Sequence, residues 1–301
     1  MRAFLRPLGV AIYDANGGGD MARLPKWYFA GYTLIVPASD TPDEFLMHGL
    51  HSAEIARIKG YEWGFSDIGI IEWEAREYIF GYLYKNKPVS ERQRIDKDER
   101  VIRAEPLEDD LVARAAFFLL PETHLIAFHP QGNDIDTNRF YAVFAHLVES
   151  TSEIGFTTMS FNPITETVDI FRAIERFSTI ERLEIDVELP NPRLNGRWED
   201  IKDDIEDIGA REYEQRYVAP EDGTLRIGSD TRAHRSIEMA SDGYGEARLD
   251  GFDESGASKR ASTLQYPATI KAPSVEKADK ETALEILARK FDEILRRGEE
   301  R

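Results

Sequence analysis

Leu183-Glu184-Ile185-Asp186-Val187-Glu188-Leu189 alternates apolar and acidic residues one for one. Successive side chains of a strand point to opposite faces, so this stretch reads as a strand with one buried and one wet face. Before it, Phe156 to Phe161 reads as a further strand, followed by a helix carrying Phe171, Ile174 and Phe177. After it comes an acidic helix whose buried stripe is Trp198, Ile201, Ile205 and Ile208. Leu225 to Ile270 reads as short strands and turns, with Asp242-Gly243 as a tight turn. Asp250 to Ala261 (DGFDESGASKRA) is polar and glycine-rich, the composition of a mobile loop. The last element is an amphipathic helix from Asp279 to Arg297, with Leu284, Leu287, Phe291 and Leu295 inward. Arg296 and Arg297 suit its negative end, before Gly298.

The first half opens with a strand, Phe4 to Tyr13, and a glycine turn at Gly17, Gly18 and Gly19. The aromatic and β-branched run from Trp27 to Val36 is a buried strand. Thr41-Pro42-Asp43-Glu44 starts a helix: Thr41 caps free amides, Pro42 has the φ of the first helical position, and Glu44 reaches back. That helix is expected to run toward Lys59 and stop at Gly60. Trp63 to Tyr84 reads as paired strands, with Tyr78, Phe80, Tyr82 and Tyr84 on alternate residues. Phe117 to Phe128 reads as a hairpin turning at Pro121 to His124, and a helix follows from Thr137 with Phe140, Val143, Phe144, Leu147 and Val148 on one face.

Helices and strands interleave without the regular alternation of a doubly wound sheet, which predicts α+β: two domains with mainly antiparallel sheets and packed helices. The boundary is placed after Ser152, giving an N-terminal α+β domain over 1–152 and a C-terminal one over 153–301. No internal repeat stands out.

Composition narrows the function classes. The 56 Asp plus Glu against 38 Lys plus Arg give a formal charge of −18, which excludes a broadly basic nucleic-acid-binding domain. A hydrophobic content of 42% supplies a core, so the chain folds. With no cysteine, disulfides, thiolate zinc sites and cysteine nucleophiles are ruled out. The N-terminal stretch lacks the apolar region and cleavage site of a signal peptide, and no window is apolar enough to span a bilayer. A soluble, cytoplasmic protein is expected.

Several clusters carry residue types suited to chemistry. Glu184, Asp186 and Glu188 share one strand face about 7 Å apart; converging, such oxygens hold metal in nucleases, and a solvated face is the commoner arrangement. Asp203, Asp204 and Asp207, on the acidic helix, suit either solvent or a basic protein partner. His48, His51 and Glu54 have the wrong spacing for a zinc-protease helix. His124 and His129 bracket the hairpin without a Gly-x-Ser-x-Gly elbow to build a triad on. Asp67, Glu72 and Glu74 lack the lysine partner of a nuclease cluster, Arg76 standing beyond Ala75. No P-loop or dinucleotide fingerprint is present, and no metal or cofactor is expected.

Against the acidic trend runs Lys85 to Arg103 (KNKPVSERQRIDKDERVIR), with seven basic residues against four acidic. Lys85, Lys87, Arg92, Arg94 and Lys97 form the candidate nucleic-acid contact, with Tyr82 or Tyr84 available for stacking. The same stretch suits a charged surface loop balanced by Glu91, Asp96, Asp98 and Glu99.

The order YIFGYLYKNKPV (78–89), ARAAFFLLPETHLIAFHP (113–130), DTNRFYAVFAHLVES (136–150), RLEIDVELPNP (182–192) and ASDGYGEARLDG (240–251) resembles a bacterial family found among phage-related genes. More distantly it resembles the RexA phage-exclusion proteins. The resemblance implies two α+β domains, a phage-defence role, non-specific DNA binding and no catalytic motif. The acidic charge departs from that pattern and opposes general duplex binding. The leading expectation is a non-enzymatic sensor or binding protein that engages DNA, RNA or a phage or defence-system protein. The alternatives are an acidic module that inhibits or scaffolds a basic partner, and a divergent metal-dependent nuclease using Glu184 and Asp186. A homodimer pairing edges such as Leu183 to Leu189 is a further expectation.

Overall fold

The computed structural model describes residues 24–37, 41–88, 91–96, 101–106, 110–152, 157–188, 198, 201, 203, 205, 207–210, 212–275 and 279–297. The expected strand at Phe4 to Tyr13 lies outside them. The fold is α+β, and every strand pairing among the described residues is antiparallel.

The larger sheet has eight strands. Its centre is β1 (Lys26–Ile35), β8 (Leu125–Phe128), β7 (Asp110–Leu120) and β4 (Arg76–Lys87), extended by β3 (Tyr61–Trp73) and β2 (Ala56–Ile58). On its free side β1 pairs with β14 (Thr269–Lys271) through Lys26 to Tyr28 and with β9 (Thr158–Pro163) through Ala30 to Ile35. Helices cover both faces. Against one lie α1 (Pro42–Ser52) and α2 (Thr137–Glu149), with Phe45, Leu46, Phe140, Phe144 and Leu147 packed on Phe117, Leu119 and Phe128. Against the other lies α5 (Lys280–Arg296), with Leu284, Leu287 and Phe291 packed on Trp27, Phe29, Phe80 and Phe118. A sheet buried on both sides needs apolar residues at consecutive positions, as Ala115 to Leu120 provide.

The second sheet runs β11 (Glu212–Val218), β10 (Thr179–Glu188), β12 (Gly245–Phe252), β13 (Ser258–Ser262). Leu183, Ile185 and Val187 face a core shared with α3 (Thr167–Ile174), α4 (Arg232–Met239) and the helical residues Ile201 and Ile205. Because β10 lies between β11 and β12, its backbone is paired on both sides and offers no edge to a second copy, against the dimer expectation at Leu183 to Leu189. Leu189 itself is outside the described residues.

The sheets do not divide at Ser152. Strands β9 and β14 and helix α5 belong to the first sheet and its core, so the second sheet with α3 and α4 occupies the chain between them. The seam is a π-helical turn, Ala240–Tyr244, whose Gly243 sits at φ +91 against β1: a Cβ on Gly31 would stand 3.1 Å from the Gly243 carbonyl oxygen. Asp242-Gly243 is thus the end of a helix, not a hairpin turn.

Three other expectations change. Helix α1 keeps its cap, Thr41 Oγ1 accepting from the Glu44 amide at 3.4 Å, but ends at Ser52, because Ala56–Ile58 pairs with Tyr61–Trp73 across a turn at Lys59 and Gly60. The expected loop from Asp250 to Ala261 is the β12–β13 hairpin. Asp253 Oδ1 closes it by accepting from the Ser255 and Ala257 amides at 2.9 and 3.1 Å. Finally α4 appears inside a stretch read as strands; Thr231 caps it by accepting from the His234 amide.

Candidate nucleic-acid interface

The basic stretch folds as β structure. After β4 ends at Lys87, β5 (Glu91–Asp96) pairs with β6 (Val101–Pro106), which leads into β7. The two make a separate antiparallel ribbon, inserted in the chain between paired neighbours of the main sheet. In its register Arg94 stands opposite Arg103, and Arg92 opposite Glu105. Lys97 lies outside the described residues.

At the root of the ribbon the expected cations part ways. Lys85 is buried, its Nζ 2.9 Å from Asp134 Oδ1 and 4.1 Å from the centre of the Tyr61 ring. An ammonium held between a carboxylate and an aromatic face already has its counter-charge, so Lys85 is removed from the phosphate contact. Lys87 is exposed. Tyr82 is buried, with the Arg114 guanidinium 4.7 Å from its ring centre. Tyr84 is half-buried and lies across Gly64, where a Cβ would stand 2.6 Å from its hydroxyl. Burial first, and the Glu62 charge second, raise the Tyr84 pKa and keep the phenol neutral. Arg114 was missed from sequence; its signal is a lone cation inside the apolar run LVARAAFFLL.

The acidic candidates separate as well. Asp203 and Asp207 are exposed on a helix whose Ile201 and Ile205 are buried, while Asp204 lies outside the described residues. Ile208, expected in the buried stripe, is 72% exposed, because the helix has ended at the Ile208-Gly209 turn. On β10, Glu184 faces Arg216 at 3.5 Å, Asp186 faces Arg248 at 3.8 Å, and Glu188 accepts from Ser160 and Asn162. These carboxylates are matched rather than convergent. Among the described residues no group of three or more His, Asp or Glu is placed to hold a metal ion.

The histidines are packed or peripheral. His124 is buried, stacked 4.9 Å from Tyr32 with Nε2 3.9 Å from Asp43, and His129 lies beside Trp27. His48 bonds Ser52 within α1. Asp67 and Glu74 occupy positive-φ positions at a bulge and a turn of β3, and Arg76 bonds Asp292 on α5.

One sequence-family model, described as Domain of unknown function (DUF4747), matches residues 46–291, from α1 to α5 and so across both sheets. The chain belongs to the DUF4747 family. None of the curated proteins matches it. The family match therefore spans the ribbon, the acidic helix and the outer face of the second sheet. In this DUF4747 chain no described helix is long and apolar enough to cross a membrane.

Proposed function

We propose that this DUF4747 protein is a non-enzymatic binding component of phage defence that engages nucleic acid through the β5–β6 ribbon, with Lys87 and Arg114 at its root. The observation that carries the reading is the fold of the basic stretch: a two-stranded antiparallel ribbon is the β element that fits a nucleic-acid groove. The rest of the surface opposes the contact. A charge of −18 repels phosphate, so affinity rests on the ribbon and falls steeply with salt. The resemblance to RexA-like proteins supports the defence setting.

The test is fluorescence anisotropy of labelled single- and double-stranded DNA and RNA across a salt series, with the wild type and a Lys87→Glu, Arg92→Glu, Arg94→Glu variant. The wild type is expected to bind and the variant to lose binding. Unchanged affinity and salt slope in the variant would remove the ribbon from the contact.

A second reading is favoured by Ile208, an exposed apolar side chain at the end of the helix that exposes Asp203 and Asp207. Such a surface suits a basic protein partner. In that case Asp203→Asn with Asp207→Asn weakens partner capture and leaves nucleic-acid binding untouched.

A further inference from the structure

The outer face of the second sheet is a matched array of charges. Arg216 meets Glu184, Arg248 meets Asp186 and Glu246, and Arg260 meets Asp250. One end of the face breaks the pattern. There the ladder between β10 and β12 slips by one residue, so that Glu181 is extra and both Glu181 and Arg182 are exposed. A bulge of this kind re-aims side chains and recurs beside binding sites. The segment after β11 is tied across the bulge. The Ala219 amide donates to the Glu181 carbonyl at 2.8 Å, the Leu225 amide to the Ile180 carbonyl at 2.9 Å, and the Ile180 amide to Thr224 Oγ1 at 2.8 Å. This loop brings Arg226 and Asp222 to the same open cleft, of about 1160 Å³, which half-buried Phe252 also lines. Among the described residues neither Arg182 nor Arg226 has an ion-pair partner, unlike the arginines elsewhere on the face.

We propose that this cleft binds a phosphorylated nucleoside. The mixture of charges decides the class. A bare anion would be drawn by Arg182 and Arg226 but repelled by Glu181, Glu221 and Asp222, and a bare cation the reverse. A nucleotide carries both complements. Its phosphate oxygens accept from guanidinium forks, its ring and exocyclic N–H groups donate to carboxylates, and its base offers a face to Phe252. The site is separate from the ribbon and does not depend on it. The shared chemistry admits two sources, a free nucleotide or the 5′ end of a strand.

The experiment is isothermal titration of the full chain with GMP, AMP, CMP and UMP, with guanosine and inorganic phosphate as half-ligands, and with a 5′-phosphorylated hexanucleotide. At least one mononucleotide is expected to bind more tightly than either half. Arg182→Gln with Arg226→Gln, checked for folding by circular dichroism, should weaken it roughly tenfold to a hundredfold. The Lys87→Glu, Arg92→Glu, Arg94→Glu variant should keep it, which separates this site from the ribbon. A hexanucleotide that binds more tightly than the mononucleotides, and is lost with the two arginines, assigns the site to strand ends; equal affinities assign it to free nucleotides. The proposal is overturned if no nucleotide binds, if binding survives loss of both arginines, or if phosphate alone binds as well as the nucleotide.

Discussion

Strands β7 and β10 are both antiparallel and both central in their sheets, yet they are built on opposite rules. Every residue of β7 from Ala115 to Leu120 is buried, with odd positions facing α1 and α2 and even positions facing α5. In β10 the buried residues Leu183, Ile185 and Val187 are spaced by Glu184, Asp186 and Glu188, which meet arginines or polar side chains. The difference is one helical layer: two covers demand a continuous apolar run, and one cover permits alternation. The matched charges on the wet side of β10 are solvated ion pairs of small individual worth. The first sheet therefore buries both of its faces, while the second buries one and leaves the other to paired charges in water.

Substitutions can break this contrast. Phe118→Ala, which empties a fully buried site between β7 and α5, is expected to cost about 3–5 kcal/mol in urea unfolding. If it cost no more than a change on the wet face of β10, the two-cover account of the first sheet would be wrong.

A smaller effect is expected where the two regions meet. Lys290 on α5 reaches Glu166 at 2.8 Å and Glu293 at 2.7 Å, and Arg297 reaches Glu166 at 2.6 Å and the Thr165 carbonyl at 2.7 Å. Lys290→Met keeps the stem and leaves Glu166 one partner short, at a cost of about 1–3 kcal/mol. Burial alone would raise the Glu293 pKa, but hydrogen bonds from Lys290 and Arg297 outweigh it and hold the carboxyl below the ordinary 4.5. A depressed folded pKa means that this contribution is full above the ordinary range and drains as pH falls through the lowered value. The acid limb of the stability curve should therefore be shallower in Lys290→Met; an identical limb would show that the clamp does not hold Glu293.

The smallest change sharpens the other side. Glu184→Gln keeps shape and removes one solvated charge opposite Arg216, so unfolding should shift by no more than about 0.5 kcal/mol. A loss near 2 kcal/mol would mean that the wet face carries structural weight of its own.

Legibility in the sequence followed the same contrast. Alternation at Leu183 to Val187, the cap at Thr41 and the hairpin turning at Pro121 to His124 are local signals, and each is realised. Pairings set by distant partners were not legible: Ala56–Ile58 leaves the helix for β3, and β9 and β14 return to β1. Helix α4 was hidden because its apolar residues are few, with Ala233, Ile237 and Met239 among His234, Arg235, Ser236 and Glu238. Of the candidate site, the basic stretch was visible as composition, but its fold as a ribbon and the sequestration of Lys85 by Asp134 and Tyr61 depend on tertiary neighbours. The nucleotide cleft left no periodic trace, since it joins a bulge, a loop and the end of a hairpin from separate parts of the chain.

The return of β14 and α5 to β1 also sets an order of events during synthesis. Residues 26–128 leave the ribosome carrying Trp27, Phe29, Phe80 and Phe118, yet the segments that shield them, 269–271 and 280–296, follow only after the whole second sheet. Until then the nascent chain holds a broad aromatic surface in water, the kind of exposure that recruits chaperones and, when translation stops early, proteases. A chain that stops before residue 280 would keep this aromatic surface uncovered and is expected to be a substrate for quality control.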